Sequence, residues 1–360
     1  MMLQKKRRFK MNLDTQVLIQ WFHQNKRDLP WRHTHDPYAI WISEIMLQQT
    51  RVDTVIPYYL KFLKKLPTIK DLANVSDEEL YKLWEGLGYY SRAKNLKTSA
   101  QMIVKNFSGA FPKQYADALT LKGIGEYSAG AILSRAFQAP YACVDGNVLR
   151  VLSRYLTSSL DIALSSTKKY FKQQLEQLSP SNWGDFNESL MELGATICTF
   201  KSPKCDLCPL KNQCLSYQNQ TIDQFPVNTK KLEVKTYPYT CIFLQYQQSY
   251  YFEIKHQGVL KDLFSPILIE GTFDENEVKD YLKTNFNLCP ISIQHLPKQK
   301  HIFTHQIWQM NGYLVQIEKI PHLLKSSFYS IKQIQTQITI PICFQKFFPF
   351  LKINVNKSYQ

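Results

Sequence analysis

The chain has 360 residues and a hydrophobic content of 44%, which is enough for two or three separate cores. Its 44 Lys and Arg against 29 Asp and Glu give a formal net charge of +15 at pH 7, which favours a polyanionic partner such as nucleic acid. No apolar run is long enough to span a bilayer, and no secretory segment follows the basic stretch 5–10, so we expect a cytoplasmic protein and neither a membrane protein nor a secreted one.

Residues 1–214 are predicted to form an all-α region. The first helix has Asn12 or Asp14 as its start signal, a second begins with Asp36 as cap before Pro37, and a third has a capping box at residues 76–79. Apolar residues at helical spacing predict helices at residues 13–27, 36–49, 76–88, 90–107, 126–137, 146–156, 167–178 and 185–198.

The pattern changes after the polar stretch 215–236, which we interpret as a linker. Residues 237–360 are predicted to be an α+β domain. β-Branched and aromatic residues predict a hairpin and three further strands, and helical spacing predicts two helices. The strands are expected at residues 237–246, 249–257, 265–271, 301–310 and 312–320, and the helices at 274–286 and 344–352.

Four cysteines lie within seventeen residues, separated by six, two and five residues: Cys198, Cys205, Cys208 and Cys214. Four thiolates at such spacing indicate a tetrahedral metal ion or an iron–sulfur cluster, and spacing alone leaves both open, with structural zinc the commoner site. Lysines between these cysteines indicate a loop that faces a phosphate backbone. The remaining four cysteines are expected to be ordinary buried thiols: Cys143, Cys241, Cys289 and Cys343.

The stretch LKGIGEYSAGAIL, residues 121–133, places two glycines directly before a predicted helix. Such a turn exposes backbone N–H groups, which bind an anion with the help of the helix dipole. The alternative is a tight corner between helices, in which Gly123 and Gly125 serve only the backbone. Tyr127 lies in the first turn of the helix that follows, within reach of the same ligand.

Two carboxylates are candidates for catalysis. Glu44 has apolar neighbours on both sides in the sequence, and burial would raise its pKa as a general acid requires. Asp145 precedes a predicted helix, where a capping carboxylate stays ionised. A neutral acid and a fixed anion are the pair that breaks a glycosidic bond through a cationic sugar. The alternatives are an exposed glutamate on an amphipathic helix and an ordinary cap.

Several motifs occur together and in order: LPWR (29–32), SEIMLQQT (43–50), GLGYYSR (86–92), the glycine pair, VDGNVLR (144–150) and the cysteine spacing. This set resembles the helix-hairpin-helix DNA glycosylase superfamily, and most closely its MutY-type adenine DNA glycosylases. The resemblance covers residues 12–214. It implies a six-helix barrel with a helix-hairpin-helix, followed by a loop that carries a [4Fe-4S] cluster on Cys198, Cys205, Cys208 and Cys214.

The resemblance also implies roles for individual residues. Glu44 would protonate the imidazole-ring nitrogen of a flipped-out adenine and then help to activate water, while Asp145 stabilises the oxocarbenium-like sugar. Tyr127 and Asn147 would support the same centre. The adenine pocket would involve Leu29, Trp31, Arg32 and Glu188. Gln49 and Tyr89 would enter the DNA stack beside the opposite base.

Tyr127 takes the position at which endonuclease III-type relatives carry a lysine that attacks the sugar and cleaves the strand through a Schiff base. A phenol cannot form an imine, so the resemblance implies a monofunctional glycosylase. Lys122 departs from the family's pattern, since relatives usually carry proline there; it either loosens the turn or adds a phosphate contact.

The C-terminal region would be a Nudix-like domain without a Nudix catalytic box. Its Phe303, Thr304 and His305 resemble the family's Phe-Ser-His loop, which contacts 8-oxoguanine. The expected substrate is therefore double-stranded DNA with adenine opposite 8-oxoguanine or guanine, bound by a monomer. Two alternatives are a bifunctional glycosylase and lyase for oxidised pyrimidines, and a non-catalytic DNA-binding protein with a redox cluster.

Overall fold

A computed structural model describes residues 11–230 and 233–353, so the basic stretch 5–10 lies outside the described residues. The chain divides into two compact units. The first contains the described residues up to Asn74 together with Lys94–Lys230, and the second contains Val75–Ala93 together with the described residues from 233 onward. The stretch 215–230, at the start of the predicted linker, is part of the first unit.

Between residues 11 and 230 the structure is helical, as predicted. Its α-helices are α1 (Thr15–Asn25), α2 (Pro37–Met46), α3 (Val52–Lys65), α4 (Ile69–Asn74), α5 (Asp77–Trp84), α6 (Ser91–Asn106), α7 (Tyr115–Thr120), α8 (Glu126–Phe137), α9 (Gly146–Tyr155), α10 (Ser165–Leu175), α11 (Trp183–Thr196) and α12 (Leu215–Gln218). No helix in the described ranges is both long enough and apolar enough to cross a membrane.

The predicted helix starts are confirmed. Asp14 caps α1, and Asp36 caps α2 by accepting hydrogen bonds from the N–H groups of residues 38 and 39, with Pro37 at the first position. Ser76 accepts from the Glu79 N–H at the start of α5. The prediction missed α3, which carries Pro57 in its interior. A proline removes one backbone donor and usually ends a helix, so the sequence did not indicate a helix there.

One hydrophobic core of the first unit lies between α1, α9, α10 and α11. Apolar side chains such as Phe22, Leu152, Phe171 and Phe186 are fully or almost fully buried there. Helix α2 is buried along nearly its whole length and packs against α3 and α8. A helix that is buried all round carries its polar residues into the interior, and this places Glu44 inside the unit.

The second unit contains a mixed sheet whose strands are ordered β6–β7–β1–β2–β8, with β5 also paired to β1. The strands are β1 (Lys235–Tyr246), β2 (Ser249–Tyr251), β5 (Ile267–Glu270), β6 (Ser292–Ile302), β7 (Gln306–Gln316) and β8 (Phe328–Ser330), and a separate pair is formed by β3 (Glu253–Ile254) and β4 (Phe264–Ser265). Strands β1 and β7 run parallel, whereas the other pairs are antiparallel.

The sheet is covered on both faces. Cys241 and Phe243 of β1 face a cluster that includes residues of α14 (Ile331–Thr336) and α15 (Ile342–Gln345), and the alternate residues Ile242 and Leu244 face α13 (Glu275–Phe286). Successive side chains of a strand point to opposite faces, so β1 is apolar throughout its centre. The prediction of an α+β region is confirmed.

Two strand predictions need correction. Residues 301–310 do not form one strand: β6 ends at Ile302, the chain turns through residues 303–305, and β7 begins at Gln306. Residues 310–312 do not separate two strands, because β7 continues through Gly312. A β-carbon at Gly312 would lie 2.4 Å from Phe347 Cε1, so the glycine provides room for packing inside the strand.

The expectation of four ordinary buried thiols is correct for Cys143, Cys241 and Cys343, and it is wrong for Cys289, which is exposed just after α13.

Candidate active site

Glu44 lies in the buried helix α2 with 7% of its surface exposed. Burial raises the pKa of its carboxyl to about 7, and nearby Glu188 and Asp145 add to the rise, while Arg135 opposes it. The group is therefore able to hold a proton and release it near neutral pH, which is the property that a general acid needs.

Asp145 is the N-cap of α9. Its Oδ1 accepts from the Val148 N–H at 2.8 Å and its Oδ2 from Asn147 Nδ2 at 3.0 Å. Burial nevertheless raises the pKa of Asp145, although these hydrogen bonds favour the ionised form and oppose the rise. The sequence pattern indicated a fixed anion, but it did not indicate that this cap lies in the interior.

Tyr127 is the second residue of α8, as predicted, and its ring lies beneath the Lys168 ammonium, 5.6 Å from the ring centroid. Its hydroxyl donates to Met191 Sδ at 3.0 Å. Burial, together with the charges of Glu44 and Asp145, raises the pKa of Tyr127 well above 10, so the phenol stays protonated. The structure thus brings together Glu44, Asp145, Asn147 and Tyr127.

Close packing between α9 and α11 fixes Asn147. A β-carbon at Gly194 would lie 2.6 Å from Asn147 Cβ, so only glycine permits this approach. Arg150 Nη2 donates to Asn147 Oδ1 at 2.9 Å and to the Gly194 carbonyl at 2.7 Å, and its Nε donates to the Cys198 carbonyl at 2.8 Å. One arginine therefore joins Asn147 to the start of the cysteine-rich loop.

Two of the residues predicted to form the base pocket, Trp31 and Glu188, are connected to Glu44 through Arg135. Leu29 is buried just before a short 3₁₀ helix, Pro30–Arg32, and Trp31 is buried within it. Arg32 Nε contacts Glu188 Oε2 at 2.6 Å, and its Nη2 contacts Glu192 Oε2 at 2.9 Å.

The sequence pattern did not single out three members of the same group: Arg27, Arg135 and Glu192. Arg27 donates to Glu192 through Nε at 2.9 Å and Nη2 at 2.8 Å. Burial alone would raise the pKa of Glu192, but hydrogen bonds from Arg27 and Arg32 lower it to about 2. Arg135 had a local signal, since it is the one charged residue in an otherwise small or apolar stretch of α8, residues 128–137.

The glycine pair forms the turn between α7 and α8. Gly123 has a φ of +78°, a conformation that favours glycine, and its Cα faces Asn95. Gly125 is the N-cap of α8 and has no side-chain capping bond, so the first N–H groups of the helix remain available to a ligand. The Lys122 carbonyl accepts from Ser99 Oγ at 3.0 Å, which ties the turn to α6.

Cys198, Cys205, Cys208 and Cys214 line one pocket, and all four are half-buried. Arg154 adjoins this pocket, with Nη1 3.4 Å from Cys198 Sγ and 2.7 Å from the Thr199 carbonyl. Within residues 11–230 and 233–353, no three His, Cys, Asp or Glu side chains converge as the ligands of a single metal ion.

The remaining predicted residues lie elsewhere. Gln49 is exposed after α2 and has a φ of +58°. Tyr89 belongs to the second unit, has a φ of +49° and contacts the Thr304 hydroxyl through its own hydroxyl group. Phe303, Thr304 and His305 form the β6–β7 turn, with the Phe303 ring packed edge-on against Trp308. Tyr89, which is predicted to enter the DNA stack, and the predicted recognition turn are therefore in contact.

Comparisons with known proteins identify similar DNA repair enzymes. Residues 42–181 match the family model described as HhH-GPD superfamily base excision DNA repair protein. An adenine DNA glycosylase of Buchnera aphidicola subsp. Baizongia pistaciae is 38% identical over 314 residues, which cover 85% of this chain and 86% of the relative. A second adenine DNA glycosylase, from Buchnera aphidicola subsp. Acyrthosiphon pisum, is 34% identical over 95% of this chain and 98% of the relative. The structure of a thermostable thymine-DNA glycosylase is similar with a TM-score of 0.53 and 32% identity over 57% of this chain and 95% of that one.

Proposed function

Since the chain belongs to the adenine DNA glycosylases of the HhH-GPD base excision repair superfamily, we propose that it hydrolytically removes adenine paired with 8-oxoguanine or guanine in double-stranded DNA. The observation that carries this proposal is that the buried Glu44, with a pKa of about 7, lies near Asp145. An acid that is half-protonated at neutral pH and a hydrogen-bonded carboxylate suit cleavage of an N-glycosidic bond.

In the proposed reaction the adenine leaves the DNA double helix and enters the protein beside Glu44. Glu44 gives its proton to the imidazole-ring nitrogen, and the electrons of the glycosidic bond pass to the base. Asp145 stabilises the cationic sugar that remains, with Asn147 holding its carboxylate. Water then adds to the sugar, and Glu44 accepts the proton.

The product is an abasic site in an intact strand. Tyr127 lies where a lyase would need an amine, and its phenol stays protonated and cannot form an imine. The hydroxyl group of Tyr127 instead donates a hydrogen bond to Met191 Sδ, which holds the ring in place beside the reacting groups.

The four cysteines fit a [4Fe-4S] cluster, because four half-buried thiols line one pocket and four cysteine thiolates are the usual ligands of such a cluster. Cys198, Cys205, Cys208 and Cys214 would hold the cluster. When bound, it organises the loop between α11 and α12, and Arg154 contributes a positive charge beside the Cys198 sulfur.

DNA recognition involves both units. Gln49 and Tyr89 enter the stack beside the opposite base, and the turn at Phe303–His305 contacts 8-oxoguanine. The two glycines before α8 bind a phosphate, and the charge of +15 attracts the duplex to a cytoplasmic monomer.

A labelled duplex with adenine opposite 8-oxoguanine, compared with adenine opposite thymine, tests the proposal. Each reaction is divided, and one half is heated in alkali before a denaturing gel. Strand breakage only after alkali, and only in the 8-oxoguanine duplex, is the expected result. Equal breakage without alkali would indicate a lyase, and no product from cluster-containing protein that binds DNA would indicate a binding protein.

A further inference from the structure

Arg135 is a buried cation within the proposed active site. It lies on α8 with 8% of its surface exposed. Its Nε lies 2.8 Å from Glu188 Oε1, its Nη1 lies 3.4 Å from Glu44 Oε1, and its Nη2 donates to the Trp31 carbonyl at 2.5 Å. All three nitrogens of the guanidinium group therefore have acceptors on different elements, so the side chain is held in a single orientation.

Arg135 is the last cation in an alternating series of charges that ends at Glu44. Glu192 contacts Arg27 and Arg32, Arg32 also contacts Glu188, and Arg135 connects Glu188 to Glu44. Glu188 has two cations within 2.8 Å, whereas among the described residues Glu44 pairs only with Arg135, and at a longer distance. Of the three glutamates in this series of ion pairs, Glu44 is thus the least neutralised. It is also the one whose charge changes during the proposed reaction.

The other ionisable groups around Glu44 do not supply a positive charge. Glu188 of α11 and Asp145 before α9 are acids whose charges act against ionisation of Glu44. Tyr127 of α8 and Cys143 before α9 have pKa values raised by burial, so both are neutral. Tyr59 of α3 has a pKa raised by burial to about 12, with the charge of Arg135 opposing the rise.

We propose that Arg135 is a positioning residue that serves as counter-ion to Glu44: it stabilises the carboxylate formed when Glu44 gives its proton to the base, and Glu188 holds the guanidinium in place for that step. This inference rests on the proposed function. Without Arg135 the new carboxylate would form in a buried pocket beside two other acids, and proton transfer would be unfavourable. Because the contact is made to the conjugate base, it strengthens as the reaction proceeds.

The test uses cluster-containing protein, a duplex with adenine opposite 8-oxoguanine, and single-turnover rates from pH 5.5 to 9. Arg135→Met removes the charge and keeps much of the apolar stem. We expect its rate at low pH to fall about tenfold or more, and the pH at which the rate declines on the alkaline side to rise by about one unit. Arg135→Lys keeps a cation and is expected to leave this alkaline limb near the wild-type position.

Arg27→Met is the matched control. It removes an arginine from the opposite end of the series, where the contact is with Glu192, so the alkaline limb should stay in place whatever happens to the rate. If Arg135→Met does not fold, judged by circular dichroism and by binding of the duplex, Arg135→Gln makes the same change of charge with a polar side chain.

An alkaline limb that does not move in the uncharged variants, while the wild type excises adenine, would overturn the role of Arg135. A wild-type protein that binds the duplex and releases no adenine would instead refute the proposed function. The two failures are therefore distinguishable.

Discussion

Replacing Glu44 with glutamine removes one ionisable group from the interior of the first unit and keeps the shape of the side chain. Because burial raises the pKa of Glu44 from 4.5 to about 7, the folded chain holds a proton in this pH window that the unfolded chain has released. The folded state of the wild type therefore loses stability as pH rises from 4.5 to 7. The loss is about 1.4 kcal/mol for each pKa unit, or roughly 3 kcal/mol in all.

The Glu44→Gln variant has no such proton, so its stability relative to the wild type should increase with pH by roughly this amount. The assay is thermal unfolding of cluster-containing protein from pH 5 to pH 8.5, followed by far-ultraviolet circular dichroism. The difference in Tm between the two proteins should grow by on the order of 6–12 °C across the window. Glu126→Gln, whose side chain is 76% exposed, is the control and should follow the wild-type curve.

A difference in Tm that stays constant over this range would refute the reasoning. It would mean that Glu44 titrates at the same pH in the folded and unfolded chains, and hence that its carboxyl is in contact with water. The proposed general acid would then have no source for its raised pKa.

Three further predictions concern the same pocket. Asp145→Asn should slow single-turnover adenine excision by about a hundredfold or more while gel-shift affinity for the duplex is retained, and lost affinity would indicate a structural cap instead. Gly194→Ala places a β-carbon 2.6 Å from Asn147 Cβ, so the free energy of unfolding should fall by about 1–3 kcal/mol, seen as a lower Tm; unchanged stability would mean that α9 and α11 separate without cost. Tyr127→Lys should give a covalent DNA adduct on borohydride treatment that the wild type lacks, and no adduct would place residue 127 away from the sugar.

Helix starts could be predicted from the sequence because their causes are local. Asp36 needs only the N–H groups two and three residues ahead, and Asp274 and Glu277 form a capping box at the start of α13 within four residues. These interactions form wherever the chain is helical, so the pattern in the sequence and the bond in the structure coincide.

The strand errors have long-range causes. A reversal between β6 and β7 at residues 303–305 contains neither glycine nor proline, and the apolar pattern on its two sides is continuous. Gly312 looks like a strand end, but it faces the ring of Phe347, which is 35 residues away in the chain. Neither feature can be recognised before the partner segment is known.

The candidate site likewise has features with local causes and features with long-range causes. Glu44 and Asp145 each carry a local signal, an apolar neighbourhood and a cap position. Their environment does not, since the contacts of Glu44 with Arg135 and of Arg27 with Glu192 join residues 91 and 165 positions apart. The sequence therefore indicates which groups are candidates for the chemistry, and the fold determines which charges set their pKa values.

Helix α5 contacts residues that are encoded near the other end of the gene. Its residues Leu80 and Trp84 are fully buried, and just after it Glu85 accepts hydrogen bonds from the Ile340 N–H at 3.3 Å and from Gln345 Nε2 at 3.1 Å. A ribosome needs on the order of ten seconds to a minute to make the intervening residues. During that interval α5 is a tethered amphipathic segment whose apolar side lacks these partners and is exposed to chaperones and proteases. A fragment that stops at Lys230 would remain in that state permanently.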